Sequence, residues 1–391
     1  MKMLLENDLN RKLREVINSD NLFWKDSEQK ENWNLICAVM DRLDSSIEYI
    51  NSHSDYSNNN NDVILFFVHS SIIKDAIYQV SNTLKIDCSN KENIFYKYIK
   101  EYKIFESVEE YENYGNGKNV ADDQFYEYLR SLVFAHPAET SRSIPNRISN
   151  EIQYCPYFLS STLQFHHNYK SPIGIQIYSN KREFGHIYLD FEDLKQYLKN
   201  KYNKLELIIK RYNEIVEEFK KEKKKHKVNR KQDDLSILKE IVIILEERYL
   251  EHYDIDKLID NLECKLTIEQ NKKNVELYRN QIKIIIPDLC DAVDNYDCAS
   301  INDLCYGLLY CRPKAHAMMH YQLEKIFCHI NYEEYCDIEW GLNQADAFSK
   351  EFAKKWVIIK PYDMSYKEIK LLVNVACYLE YQEQSKENKD E

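Results

Sequence analysis

WNLICAVMDRLDSSIEYI, residues 33 to 50, decides the fold class, because Trp33, Ile36, Met40, Leu43, Ile47 and Ile50 recur at steps of three and four. At about 3.6 residues per turn those positions share one face, so the stretch reads as a long amphipathic helix whose apolar stripe needs a partner. The partner comes next. After the polar break SHSDYSNNNND (52–62), with Asp62 expected as N-cap, Ile64, Phe67, Ile72, Ala76, Ile77 and Val80 repeat near the same period. This second segment is apolar over more of its circumference and reads as the central helix of a bundle. A third helix starts at Asp122 and Asp123, beyond the breaker NYGNGKN (113–119), and its buried stripe is Phe125, Tyr128, Leu129, Leu132 and Val133.

Composition agrees with a mainly α chain. Its 391 residues are 44% hydrophobic and 13% aromatic, enough for two or three domains with real cores, which excludes disorder as a global state. Six glycines and seven prolines supply few tight turns, which favours long helices over a many-stranded barrel. The net charge of −12 excludes a protein that coats nucleic acid by charge alone. One local exception stands out, FKKEKKKHKVNRK (219–231), which reads either as a solvated helix end or as a resting place for an RNA backbone. The 11 cysteines are odd in number, scattered and free of CxxC pairs, and no secretory leader is recognised, so reduced thiols and a cytoplasmic location are expected. VILFFV (63–68), the longest apolar run, falls short of the roughly 20 residues that cross a bilayer, so no membrane partner is expected.

Farther along, IGIQIYS (173–179) and FGHIYLD (184–190) alternate with period two around NKRE, the pattern of a β-hairpin. A long helix is expected from Phe191 to about residue 226, with others near 232–252, 265–285 and 315–330 and toward the C-terminus. WVIIK (356–360) reads as a strand and the tail QEQSKENKDE as disordered. The expected organisation is a helical domain over residues 1–150, a connector with the hairpin over 151–190, and a second helical domain over 191–391.

The third helix ends in LRSLVFAHP, which places Arg130, Ser131 and His136 just before Pro137. Six residues at about 100° each rotate roughly 240°, so on a straight helix Arg130 and His136 do not share a face. Pro137 is expected to push His136 out of the helical path and let the two converge. Two long helices followed by a third that carries Arg130, a polar residue and His136 resemble the HEPN domain family and its Arg-x(4–6)-His motif, over about residues 30–150. Ser131 departs from the Asn, Asp or His usual at that position. The resemblance implies a HEPN-like helical bundle and a metal-independent endoribonuclease of a toxin, abortive-infection or other defence system, with no cofactor and no metal site. It also implies an RNA substrate, a homodimer that pools Arg130 and His136 into one composite site, and an antitoxin or defence-system partner.

The chemistry fits these residue types. A guanidinium is charged at every physiological pH and can hold a phosphate through two parallel hydrogen bonds. An imidazole, with a reference pKa near ~6.5, can move the protons of a 2′-hydroxyl attack. The competing reading is a catalytically silent helical module that binds RNA or protein, and Ser131 favours it. Other candidates are bystanders first and site residues second: Thr140, Ser141 and Arg142 as loop caps, His69 as a hydrogen-bonded core residue, and His166 and His167 as loop residues. HAMMHYQLE sets His316, His320 and Glu324 at steps of four with Cys305 and Cys311 upstream, a spacing that zinc could use but that packing histidines explain as well.

Overall fold

The computed structural model describes residues 3–19, 22–26, 30–53, 60–92, 94, 121–136, 138–140, 151–155, 158–160, 172–181, 184–331 and 337–390. The chain is mainly α and divides into two compact units, Met1–Glu217 and Glu218–Glu391.

In the first unit, α1 (Asn7–Asn18) and α2 (Leu22–Lys25) precede the long pair α3 (Lys30–Ser52) and α4 (Asn60–Thr83). The stripe read from the sequence is the core face of α3, where Ile36, Met40, Leu43, Ile47 and Ile50 are buried. Helix α4 begins two residues before the expected cap, so Asp62 lies inside its first turn, where a carboxylate meets the positive end of the helix dipole. By length and composition, Asn61–Thr83 could cross a membrane, a test its shorter apolar runs conceal. Half of that window is nevertheless buried within the unit, and Lys74 in its middle is ion-paired with Glu127 at 2.5 Å. A core helix accounts for the hydropathy.

Helix α5 (Asp122–Arg130) continues into a π-helical turn, Ser131–Ala135. The expected hairpin follows as β3 (Pro172–Ser179) and β4 (Phe184–Asp190), antiparallel with Ile175 opposite Ile187. Two short strands that the sequence pattern did not flag, β1 (Gln153–Tyr154) and β2 (Phe158–Ser160), pair with β3 to give a four-stranded sheet. Runs of two and three residues are too short to display a period.

Where one long helix was expected after the hairpin there are two, α6 (Phe191–Tyr202) and α7 (Leu205–Lys223). The break lets both present a tyrosine to α1: Tyr202 donates to the Glu6 carbonyl at 2.5 Å and Tyr212 to the Ile17 carbonyl at 3.2 Å. Phe191 meets Phe66 of α4 edge to face at 4.6 Å, and Tyr197 stacks on Tyr126 of α5 at 4.8 Å. Sheet and α6 therefore belong to the first unit, and the division falls at 217/218 rather than at 150 and 190.

The second unit contains α8 (Asp234–Glu247), α9 (Tyr253–Glu263), α10 (Lys272–Asn295), α11 (Cys298–Leu309), α12 (Met319–His329), α13 (Ile338–Glu351) and α14 (Tyr366–Asp390) around one core. Helix α10 runs through Pro287, well past the end expected near residue 285. Buried Ile286, Leu289, Cys290 and Val293 hold the helix against the core, which outweighs the one lost N–H. WVIIK is no strand: Val357–Lys360 has no regular structure, and the buried side chain of Asn271 satisfies Ile358, accepting from its N–H and donating to its C=O, both at 2.8 Å. Nor is the tail irregular. Helix α14 carries it, and the Gln384 amide bonds both backbone groups of Lys314, at 2.7 and 2.8 Å.

Candidate active site

Helix α5 is pinned from its start. Asp123 accepts from Lys201 Nζ at 2.6 Å, from the Tyr197 hydroxyl at 2.7 Å and from the Asn90 N–H at 2.9 Å. Its buried face includes every expected residue, Phe125, Tyr128, Leu129, Leu132 and Val133, together with Tyr126, whose hydroxyl meets Ser70 Oγ and Ser71 Oγ of α4.

The helix then widens. The His136 N–H bonds to the Ser131 carbonyl at 2.9 Å, an i→i+5 closure, and His136 itself leaves the helical region with φ −144° and ψ 54°. Each residue advances less around a π turn than around an α turn, so the wide turn alters the angle between Arg130 and His136 that a straight helix imposes. The departure of His136 matches the expectation for a residue before proline; Pro137 lies outside the described residues. The π turn itself was not foreseen, because nothing in SLVFA marks one.

Arg130 is half-buried in a chain of alternating charges. Its guanidinium donates to Glu127 at 3.1 Å and lies 3.6 Å from Asp75 of α4, while Lys74 holds the other side of Glu127 at 2.5 Å. The Phe134 ring lies 5.7 Å from the guanidinium centre. Two cations and two carboxylates balance, yet the Arg130 Nε–H is buried without an acceptor. Lys74, Asp75 and Glu127 escaped notice in the sequence, although Glu127 stands three residues before Arg130, the spacing of a helical ion pair, and KD interrupts the apolar face of α4. His136 is exposed, and among the described residues its imidazole makes no hydrogen bond.

Ser131 points the other way. Its side chain is buried and shares a hydrogen bond with the Thr140 hydroxyl. Thr140 forms a β-bridge with Gln153, N to O at 2.8 and 3.1 Å, and Gln153 Oε1 accepts from the Tyr128 hydroxyl at 2.7 Å. Ser131 thus ties the π turn to β1. Ser141, Arg142, His166 and His167 lie outside the described residues.

The remaining candidates sit apart. His69 stacks on Tyr49 at 4.0 Å and meets Ser46 Oγ at 3.3 Å; burial, then nearby His53, lowers its pKa. In the basic run, Lys225 pairs with Glu222, His226 with Glu247 at 3.0 Å, and Arg230 with Asp291 at 2.6 Å and Asp294 at 2.9 Å. Carboxylates thus answer Lys225 and Arg230 within this run. His316 precedes α12, 3.6 Å from Glu351, whereas His320 is exposed on the helix. Burial pushes the Cys305 thiol up to about 12 and the Cys311 thiol up to about 11, which makes both core groups. Among the described residues no three His, Cys, Asp or Glu side chains converge as a metal site.

Comparison of the chain with protein-family models, curated proteins and solved structures finds no match.

Proposed function

We propose that the chain is a metal-independent endoribonuclease of HEPN type. The observation that supports this reading most is the Arg130 guanidinium at the end of α5, which keeps an unpartnered Nε–H, one wide turn before the exposed His136. A scissile phosphate would take the bare Nε–H and displace Asp75, the more distant of the two carboxylates. The RNA brings its own nucleophile. The 2′-oxygen bonds to phosphorus, the bond from phosphorus to the 5′-oxygen breaks, and the products are a 2′,3′-cyclic phosphate and a 5′-hydroxyl. His136 takes the 2′-hydroxyl proton or supplies one to the leaving oxygen, and Arg130 offsets the charge gathering on the phosphate. In a homodimer two such ends meet and share the work. The second unit serves as sensor, substrate guide or contact for an antitoxin or other defence-system partner, and the site of action is the cytoplasm.

A second reading, a catalytically silent RNA- or protein-binding module, draws on two observations. Arg130 is engaged by Glu127 and Asp75, and Ser131 is sequestered by Thr140. One experiment separates the two. Wild type, Arg130→Ala and His136→Ala are assayed on labelled RNA in EDTA, with end-group analysis of the products. The endonuclease reading expects cyclic-phosphate ends and losses of at least ~100-fold in either variant. RNA retained but uncut by all three proteins favours the silent module.

A further inference from the structure

A cleft of about 430 Å³ opens in the first unit between α6 on one side and Asn90 and Asp122 on the other. Helix α6 faces it with Asp193, Gln196 and Asn200, and Asn203 at the C-cap continues their steps of three and four, which puts hydrogen-bonding side chains along one stripe. The opposite face of the same helix is ordinary core, with Leu194, Leu198 and Tyr202 buried. The volume lies within the range of small-molecule sites, roughly 300–1,000 Å³, and far exceeds that of a single ion.

Accounting for donors and acceptors shows what is missing. Asn90 Nδ2 donates to Asn200 Oδ1 at 2.8 Å, which leaves Asn90 Oδ1 buried and without a donor. Asp193 makes no hydrogen bond or ion pair among the described residues. Asp122, 3% exposed, adds a second carboxylate to the wall. Lys199, the cation on the same wall, pairs with neither carboxylate. Buried polar atoms are normally satisfied, so the bare Asn90 Oδ1, on the same cleft as the half-buried Asp193 carboxylate, calls for a ligand that brings donors and positive charge.

We propose that this cleft binds a small cationic, donor-rich ligand of the alkyl polyamine class. One ammonium sits against Asp193 and a second N–H group reaches Asn90 Oδ1, while Gln196 and Asn203 supply further acceptors along the stripe. Two carboxylates are too few for a hard divalent cation, which prefers six or more oxygens around a far smaller volume. The site is independent of Arg130 and His136, so it can stand or fall without the ribonuclease reading.

The probe is spermidine, applied to the full chain and followed by calorimetric titration and thermal melting. One-to-one binding with a raised Tm is expected. Asp193→Asn, nearly isosteric, should weaken binding by about tenfold, and the solvent-facing Asn203→Ala by about threefold, a second variant in case the first fails to fold. Affinity should also fall as pH drops below about 6, where Asp193 takes up its proton while the amine stays charged. Equal binding in wild type and both variants would overturn the proposal. So would a response to magnesium alone that matches the response to spermidine, because that is unspecific charge screening.

Discussion

Burial, reinforced by Asp190 and Glu192, raises the Asp193 carboxyl to about 6. An unfolded chain titrates the same group near ~3.9. Between those two values the folded state holds a proton that the unfolded state has released, so stability is greatest below the unfolded pKa and falls as pH rises toward 6. Asp193→Asn removes the carboxylate and with it the fall. The variant should therefore melt above wild type at pH 7 and together with it at pH 3.5, which melting curves across that range would check; a variant less stable at pH 7 would mean that Asp193 has a partner in the folded protein. A residue that lowers stability where the cell operates fits a binding role better than a packing role. Ser131 shows the opposite case. Its place in the Arg130 motif was legible from spacing, but its bond to Thr140 joins residues nine apart through a π turn and a β-bridge, and neither has a sequence signature.

At the scale of elements, the sequence carried what periodicity can carry. The stripes of α3 and α5 and the period-two hairpin were legible, because each repeats its pattern over enough residues to set a face; on α4, Phe67, Ala76, Ile77 and Val80 are buried as read, but Ile64 and Ile72 are half-buried and Val63, Phe66 and Ile73 enter the core instead. Single-residue solutions were not legible. WVIIK has the composition of a strand, yet one buried amide replaces the neighbouring strand, and that substitution depends on Asn271, 87 residues away. Asn271→Ala should destabilise the second unit by roughly 2–4 kcal/mol, since it removes two buried hydrogen bonds and leaves both backbone groups of Ile358 unsatisfied. Asn271→Asp should cost at least as much, because it sets a buried carboxylate against the Ile358 carbonyl. Urea unfolding of the full chain measures both, and an unchanged midpoint in the alanine variant would show that water satisfies Ile358.

At the scale of the molecule, the sequence placed the boundaries at the hairpin, where composition changes, while the division follows packing. Phe191 meets Phe66, and Tyr197 meets Tyr126. Such pairings between distant segments leave no local trace. The actual division cuts α7, whose last turns serve the second unit: Phe219 stacks on Tyr249 at 5.7 Å, and buried Arg248 donates to the Lys223 and His226 carbonyls at 3.2 Å each. Arg248 also donates to the Val293 carbonyl, so one cation gathers the negative ends of α7 and α10. The core of this unit runs from Val228 to Tyr378 and draws on every helix from α8 to α14. A fragment spanning residues 218–391 should accordingly fold alone, with helical far-UV dichroism, dispersed amide resonances and one sigmoidal urea transition. Arg248→Met within the fragment should lower the midpoint, because three carbonyls lose their donor and a well-filled volume does not replace it. A fragment that binds hydrophobic dyes and unfolds without cooperativity would show instead that its core depends on residues before 218.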